Sequence, residues 1–168
     1  YSLTTIPKMD TSKVTSMSYM FGNCSLLTTI PEMDTSQVTN MNSMFNWCSA
    51  LTNVPEMDTS KVTDMGHMFA GCKLLTTIPP MNTSQVTDMS YMFSYNDFLT
   101  TIPSMDTSQV TNMGEIFYEC HSLTTIPEMD TSKVTYIGSF YGSGSLTDLG
   151  GFIGLKCNLN LEYCPNLT

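Results

Sequence analysis

The chain has 168 residues, of which 12% are charged: six lysines, no arginine and fifteen Asp or Glu, for a formal net charge of −9. That balance excludes nucleic-acid binding, which rewards Lys and Arg stripes, and it disfavours an anionic membrane surface. No apolar run approaches the ~20 residues of a membrane-spanning helix.

From Tyr1 a 24-residue pattern returns six times, Ser-Leu-Thr-Thr-Ile-Pro-x-Met-Asp-Thr-Ser-x-Val-Thr-x-Met-x-x-Met-Phe-x-x-Cys. Leucine stands at 3, 27, 51, 75, 99 and 123 and proline at 7, 31, 55, 79, 103 and 127, without insertion. The units open at Tyr1, Ser25, Ser49, Lys73, Asp97 and His121, and the sixth shortens by one residue near Gly142-Ser143-Gly144. A unit this short cannot bury its own apolar face, so contact between units must supply the core. Residues 1–144 read as six regular repeats and 145–168 as an atypical last one, a cap or junction. With no initiator methionine or leader before Tyr1, and a closing Asn166-Leu167-Thr168 that resembles the start of another unit, the chain reads as a piece of a longer array.

Along one unit the apolar residues are Leu3, Ile6, Met9, Val14, Met17, Met20, Phe21 and Cys24. They fit neither a helical period nor strict alternation. Short arcs separated by corners fit better: a strand from Leu3 to Ile6, a bend at Pro7, a strand from Val14 to Met17, and a short helical or 3₁₀ turn carrying Met20-Phe21. Parallel in-register pairing between units would advance ~4.8 Å per unit and give a rod of roughly 30 Å.

Leu-Thr-Thr-Ile-Pro, then Val-Thr-x-Met, then Met-Phe-x-x-Cys resembles the repeat of the BspA-like leucine-rich repeat surface proteins of bacteria, and related repeats occur in bacteriophage tail-associated proteins. The last segment, Leu159-x-Leu161-x-x-Cys164-x-x-Leu167-Thr168, looks like a cysteine-containing leucine-rich repeat. The resemblance implies a leucine-rich-repeat-like solenoid, a right-handed stack of short parallel strands with short helical or 3₁₀ turns in about seven coils. It also implies extracellular, cell-surface or virion-associated use in adhesion or recognition, and no catalytic residue.

Exceptions within each column test its chemistry. The cysteine column runs Cys24, Cys48, Cys72, Asn96, Cys120, Gly144. Bridges between adjacent units are geometrically conceivable, but a place that takes thiol or amide favours a small buried group bonded to nearby backbone. The aspartate column, Asp10, Asp34, Asp58, Asn82, Asp106 and Asp130, always precedes Thr-Ser; Asn82 favours a turn cap over calcium. Methionines at 9, 17, 20 and their repeats give way to Ile116, Ile137 and Phe140, which favours core over a metal site. The recurring threonines suit ladder hydrogen bonding better than ice binding. His67 and His121 occupy different unit positions with no recurrent nucleophile, and hydrolase, phosphate-loop and zinc-protease motifs are absent. No enzyme, cofactor or metal is expected.

Recognition then falls to positions free to differ between units. The columns of Tyr19, of Gly22 and of Asn23 are rich in aromatic residues, and the ligand-binding candidates are Tyr19, Trp47, His67, Tyr91, Tyr95 and Tyr118, with Lys73, Phe98 and His121 added from the columns that open at Tyr1 and Ser2. A second candidate is the small polar face of Ser16, Ser18, Asn40, Asn42, Asp64, Asp88, Ser90 and Asn112. The expected partner is a protein or carbohydrate surface, with no nucleic acid and no membrane insertion. The alternative is a structural spacer or phage-tail component without a ligand site.

Overall fold

The computed structural model describes residues 3–162 and 164–167. Tyr1, Ser2, Tyr163 and Thr168, which contribute to the first and last units in the reading above, lie outside the described residues.

Each unit is a succession of tight turns. In the first, the N–H groups of Val14, Met20, Gly22, Cys24 and Leu27 donate to the carbonyls of Thr11, Met17, Tyr19, Phe21 and Cys24 at 2.9 to 3.1 Å. The turns Met17–Met20 and Phe21–Cys24 have positive φ at their third residue, 57° at Tyr19 and 64° at Asn23. All nine non-glycine residues with positive φ among the described residues fall in these two columns: Tyr19, Ser43, His67, Tyr91 and Glu115, and Asn23, Trp47, Tyr95 and Glu119.

The expected leucine-rich-repeat-like solenoid of about seven coils, with short strands and helical or 3₁₀ turns, is corrected by these facts. Among the described residues there is no helix or 3₁₀ turn, and only four short strands: β1 (Met129–Asp130), β2 (Gly138–Ser139), β3 (Phe152–Ile153) and β4 (Leu159–Asn160). They form two separate parallel pairs, β1 with β3 and β2 with β4. The expected strand at Leu3 to Ile6 does not form, that at Val14 to Met17 contracts to an isolated bridge at Ser16, and Met20-Phe21 lies in turns. The reason is local. Hydrogen-bonded turns at Thr11–Val14, Met17–Met20 and Phe21–Cys24 interrupt the backbone on either side of Ser16 and across Met20-Phe21, and the left-handed residue in each of the last two turns cannot continue a right-handed helix.

Successive units nevertheless meet in register. Isolated parallel bridges join Ser16 to Asn40, Asn40 to Asp64, Asp64 to Asp88, Asp88 to Asn112 and Asn112 to Tyr136. The N–H groups of Met17, Tyr19, Phe21 and Asn23 donate to the carbonyls of Asn40, Asn42, Met44 and Asn46 at 2.7 to 2.9 Å. Side chains repeat the arrangement: Thr11, Thr35, Thr59 and Thr83 are buried, and each Oγ1 donates to the carbonyl of the next unit's Asp or Asn at 2.8 to 2.9 Å. Backbone groups freed by the missing strands are thereby satisfied between units.

The core is a set of continuous columns. Phe21, Phe45, Phe69, Phe93 and Phe117 stack at centroid distances of 5.7 to 6.2 Å, and Leu27, Leu51, Leu75, Leu99 and Leu123 are fully buried. Leu3, in the first unit, is 42% exposed where Leu27 is 0%, so a neighbour on each side completes the burial. Each fully buried leucine or phenylalanine contributes roughly 1.5–3 kcal/mol.

The shortening of the sixth unit lies earlier than Gly142. The Asn112–Tyr136 bridge keeps the 24-residue step. Gly138, at φ 84°, already takes the left-handed place held by Glu115, and Phe140 stacks on Phe117 at 5.8 Å. Phe140 therefore continues the phenylalanine column rather than the Met20 column, and Ser143, not Gly144, follows Cys120. Tyr136 has no amide or carboxyl to cap the turn after it. The Glu115 carboxylate replaces that cap, accepting from the Ser139 N–H at 2.9 Å and the Tyr136 hydroxyl at 2.8 Å.

Candidate functional site

The two left-handed columns decide which side chains leave the core. A non-glycine residue there costs about 1–2 kcal/mol, yet Tyr19, Trp47, His67, Tyr91 and Tyr95 all occupy it. The flanking turn residues are anchored: Met17, Phe21 and Cys24 are buried.

Three of the candidate aromatics converge. Trp47 lies 5.4 Å from Tyr95 with planes tilted 33°, and Tyr95 lies 5.3 Å from Tyr118 edge to face at 64°. Tyr141 extends the ridge, stacked on Tyr118 at 5.6 Å and 15°. It was missed because a late shortening puts it in the phenylalanine column; a 23-residue step from Tyr118 would have revealed it. His67 and Tyr91 form a separate pair, stacked at 4.6 Å and 6°. Tyr19 joins neither group: it is 61% exposed, with its ring edge packed near Gly22. Leu26, Leu74 and Phe98 are also exposed, one to a unit.

The ridge is acidic at one end. Partial burial, then the charges of Glu119 and Glu115, push the Tyr95 and Tyr118 hydroxyls above their usual range. The Glu119 carboxylate makes no hydrogen bond or ion pair among the described residues, while its backbone N–H donates to the Tyr141 carbonyl at 2.7 Å. The one lysine in an ion pair there is Lys73, 3.3 Å from Asp97, which His121 also approaches at 3.1 Å. Burial lowers the pKa of His67 against the opposing pull of Asp88 and Asp64.

The second candidate face is largely occupied by the scaffold. Asn40, Asp64, Asp88 and Asn112 accept, through Oδ1, from the N–H two residues on at 2.8 to 3.0 Å. Asn42 Nδ2 donates to Asp64 at 3.2 Å, and Asn112 Nδ2 to Asp88 at 2.9 Å. These groups hold turns and join units.

The aspartate column caps turns in the same way. Ser12, Ser36, Ser60, Ser84, Ser108 and Ser132 donate their N–H to the preceding Asp or Asn82 at 2.8 to 3.1 Å. In the cysteine column, Cys48, Cys72 and Cys120 donate Sγ–H to the carbonyls of Phe21, Phe45 and Phe93 at 3.0 to 3.1 Å. Asn96 and Ser143 make the equivalent bond to Phe69 and Phe117. Burial pushes the Cys48 thiol up to about 12 and raises those of Cys72 and Cys120 as well.

In-register units with constant buried columns and variable exposed corners define a tandem-repeat protein. The family described as "Mycoplasma protein of unknown function, DUF285" matches residues 2–77 and 48–148. The chain belongs to that family. No curated protein and no solved structure matches it.

Proposed function

We propose that this chain is a non-enzymatic recognition module of the BspA-like type, used outside the cell or on its surface to bind a protein or glycan surface through its variable corners. The observation that carries this reading is the ridge of Trp47, Tyr95, Tyr118 and Tyr141, a run of ring contacts across units that share little else at those positions. Aromatic side chains supply large contact area at low entropic cost and dominate binding hot spots. Repetition supports multivalent attachment, in which several weak contacts act together.

A second reading, a spacer or phage-tail component, is favoured by the way Trp47 covers Gly71 of the following unit. The two readings separate in the Trp47→Ala, Tyr95→Ala, Tyr118→Ala variant. For a contact surface, adhesion to a panel of immobilised matrix proteins and glycans falls at least tenfold while the urea midpoint holds, since about 1.4 kcal/mol of lost contact suffices. Unchanged adhesion with a lowered midpoint would make the ridge a cover only.

A further inference from the structure

Resting on the recognition reading, we infer that the ridge takes a basic polypeptide segment, with arginine side chains set against the rings and paired with Glu119. Its rings meet at 33° and 64°, with one near-parallel pair, Tyr118 on Tyr141 at 15°, so the ridge is a stepped surface rather than the single flat platform on which a sugar ring stacks. The rings touch one another, so a planar guanidinium lies against their outer surface, held by the negative ring faces. Glu119 follows Tyr118 in sequence, continues the column of Trp47 and Tyr95, and has no cationic partner among the described residues. The chain supplies none from nearby. Lys61 and Lys133 bond to Gln37 and Gln109, Lys73 to Asp97, and Lys156 to the Ser132 carbonyl. With a net charge of −9 and no arginine, the chain complements a basic partner and repels sulfated or sialylated glycans. Cation–π contact and charge pairing thus act at one place.

The test is fluorescence anisotropy at physiological salt with a labelled (Arg-Ser)₅ peptide, alongside (Lys-Ser)₅, (Glu-Ser)₅ and chitopentaose. The arginine peptide binds best and the acidic one not at all. Trp47→Leu and Tyr95→Leu each weaken binding about tenfold with net charge unchanged, whereas Trp47→Tyr retains it. Glu119→Gln weakens it several-fold, while Glu56→Gln, the same charge change on another column, does not. Circular dichroism and the urea midpoint of each variant confirm folding. Equal losses in Glu119→Gln and Glu56→Gln with none in the leucine variants would mean attraction by net charge alone and overturn the inference. Failure of the arginine peptide to bind also overturns it. Ridge-dependent binding of chitopentaose in place of the peptide overturns the partner class but leaves the recognition reading standing.

Discussion

The indole of Trp47 reaches Tyr95, two units along the chain, by passing over Gly71. A Cβ at Gly71 would stand 2.7 Å from Cδ2 and Cε3 of the indole, and φ there is +72°. Gly71→Ala should lower stability by about 1–2 kcal/mol and move Trp47 off Tyr95. Because Trp47 is the single tryptophan, its emission reports the displacement directly, with a shift to the red. Gly144→Ala, with nothing within 4 Å, serves as the control and should leave both readouts unchanged.

Asn96 is buried with Nδ2 donating to the Phe69 and Phe93 carbonyls, while Oδ1 finds no donor among the described residues. A buried acceptor without a partner costs about 1–3 kcal/mol. Asn96→Cys, which restores the rule of its column, should raise the urea midpoint by the equivalent of about 1 kcal/mol or more. Asn96→Leu should lower it, by removing the side-chain donor to the Phe69 carbonyl and leaving that carbonyl only the Cys72 N–H at 3.2 Å.

The buried thiols set an alkaline limit. In the unfolded chain they ionise near 9, whereas in the folded chain Cys48 is held up to about 12 and Cys72 and Cys120 are raised too. Above pH 9 the unfolded state therefore binds fewer protons, and stability falls as pH rises, by up to about 1.4 kcal/mol per pH unit for each fully buried thiol. Urea denaturation between pH 8 and 10 should show this slope. Replacing the three cysteines with serine should flatten it while retaining the hydrogen bond, since Ser143 makes it natively.

Asp34→Asn should leave the urea midpoint at pH 7 unchanged, since Asn82 caps its turn through the same Oδ1 bond. Asp34→Ala should lower the midpoint by removing the acceptor of the Ser36 N–H. The two serine hydrogen bonds hold the Asp34 carboxyl below its usual range. Its contribution is thus present above about pH 4 and lost as pH falls through the lowered folded value, so acid should narrow the gap between Asp34→Ala and the parent chain.

Column exceptions made much of the scaffold legible. Asn96 exposed the cysteines as backbone donors, and Asn82 exposed the aspartates as caps. The turn-built backbone was hidden because, within the two corner columns, only Asn23, Gly71, Gly138 and Gly142 advertise a left-handed residue, while Tyr, Trp, His, Ser and Glu fill the other places. The expectation of a helical or 3₁₀ turn across Met20-Phe21 followed. The candidate surface was half legible: Trp47, Tyr95 and Tyr118 do meet, His67 and Tyr91 form their own pair, and Tyr19 stands apart. Tyr141 was lost to one misplaced gap. The polar face around Asn40 and Asp88 repeats the Asp-Thr-Ser logic, a capping acceptor with its N–H donor two residues on, and could have been recognised as scaffold by that signature.

Most bonds between units link the same two columns each time: a threonine hydroxyl to the carbonyl of the next unit's Asp or Asn, a thiol to the previous unit's phenylalanine carbonyl, ring to ring. A unit excised or duplicated in frame would leave its former neighbours facing the same atoms they had bonded before. Recombination between repeats can therefore lengthen or shorten the array, and shuffle its corner side chains into new orders, without the joints having to be invented again.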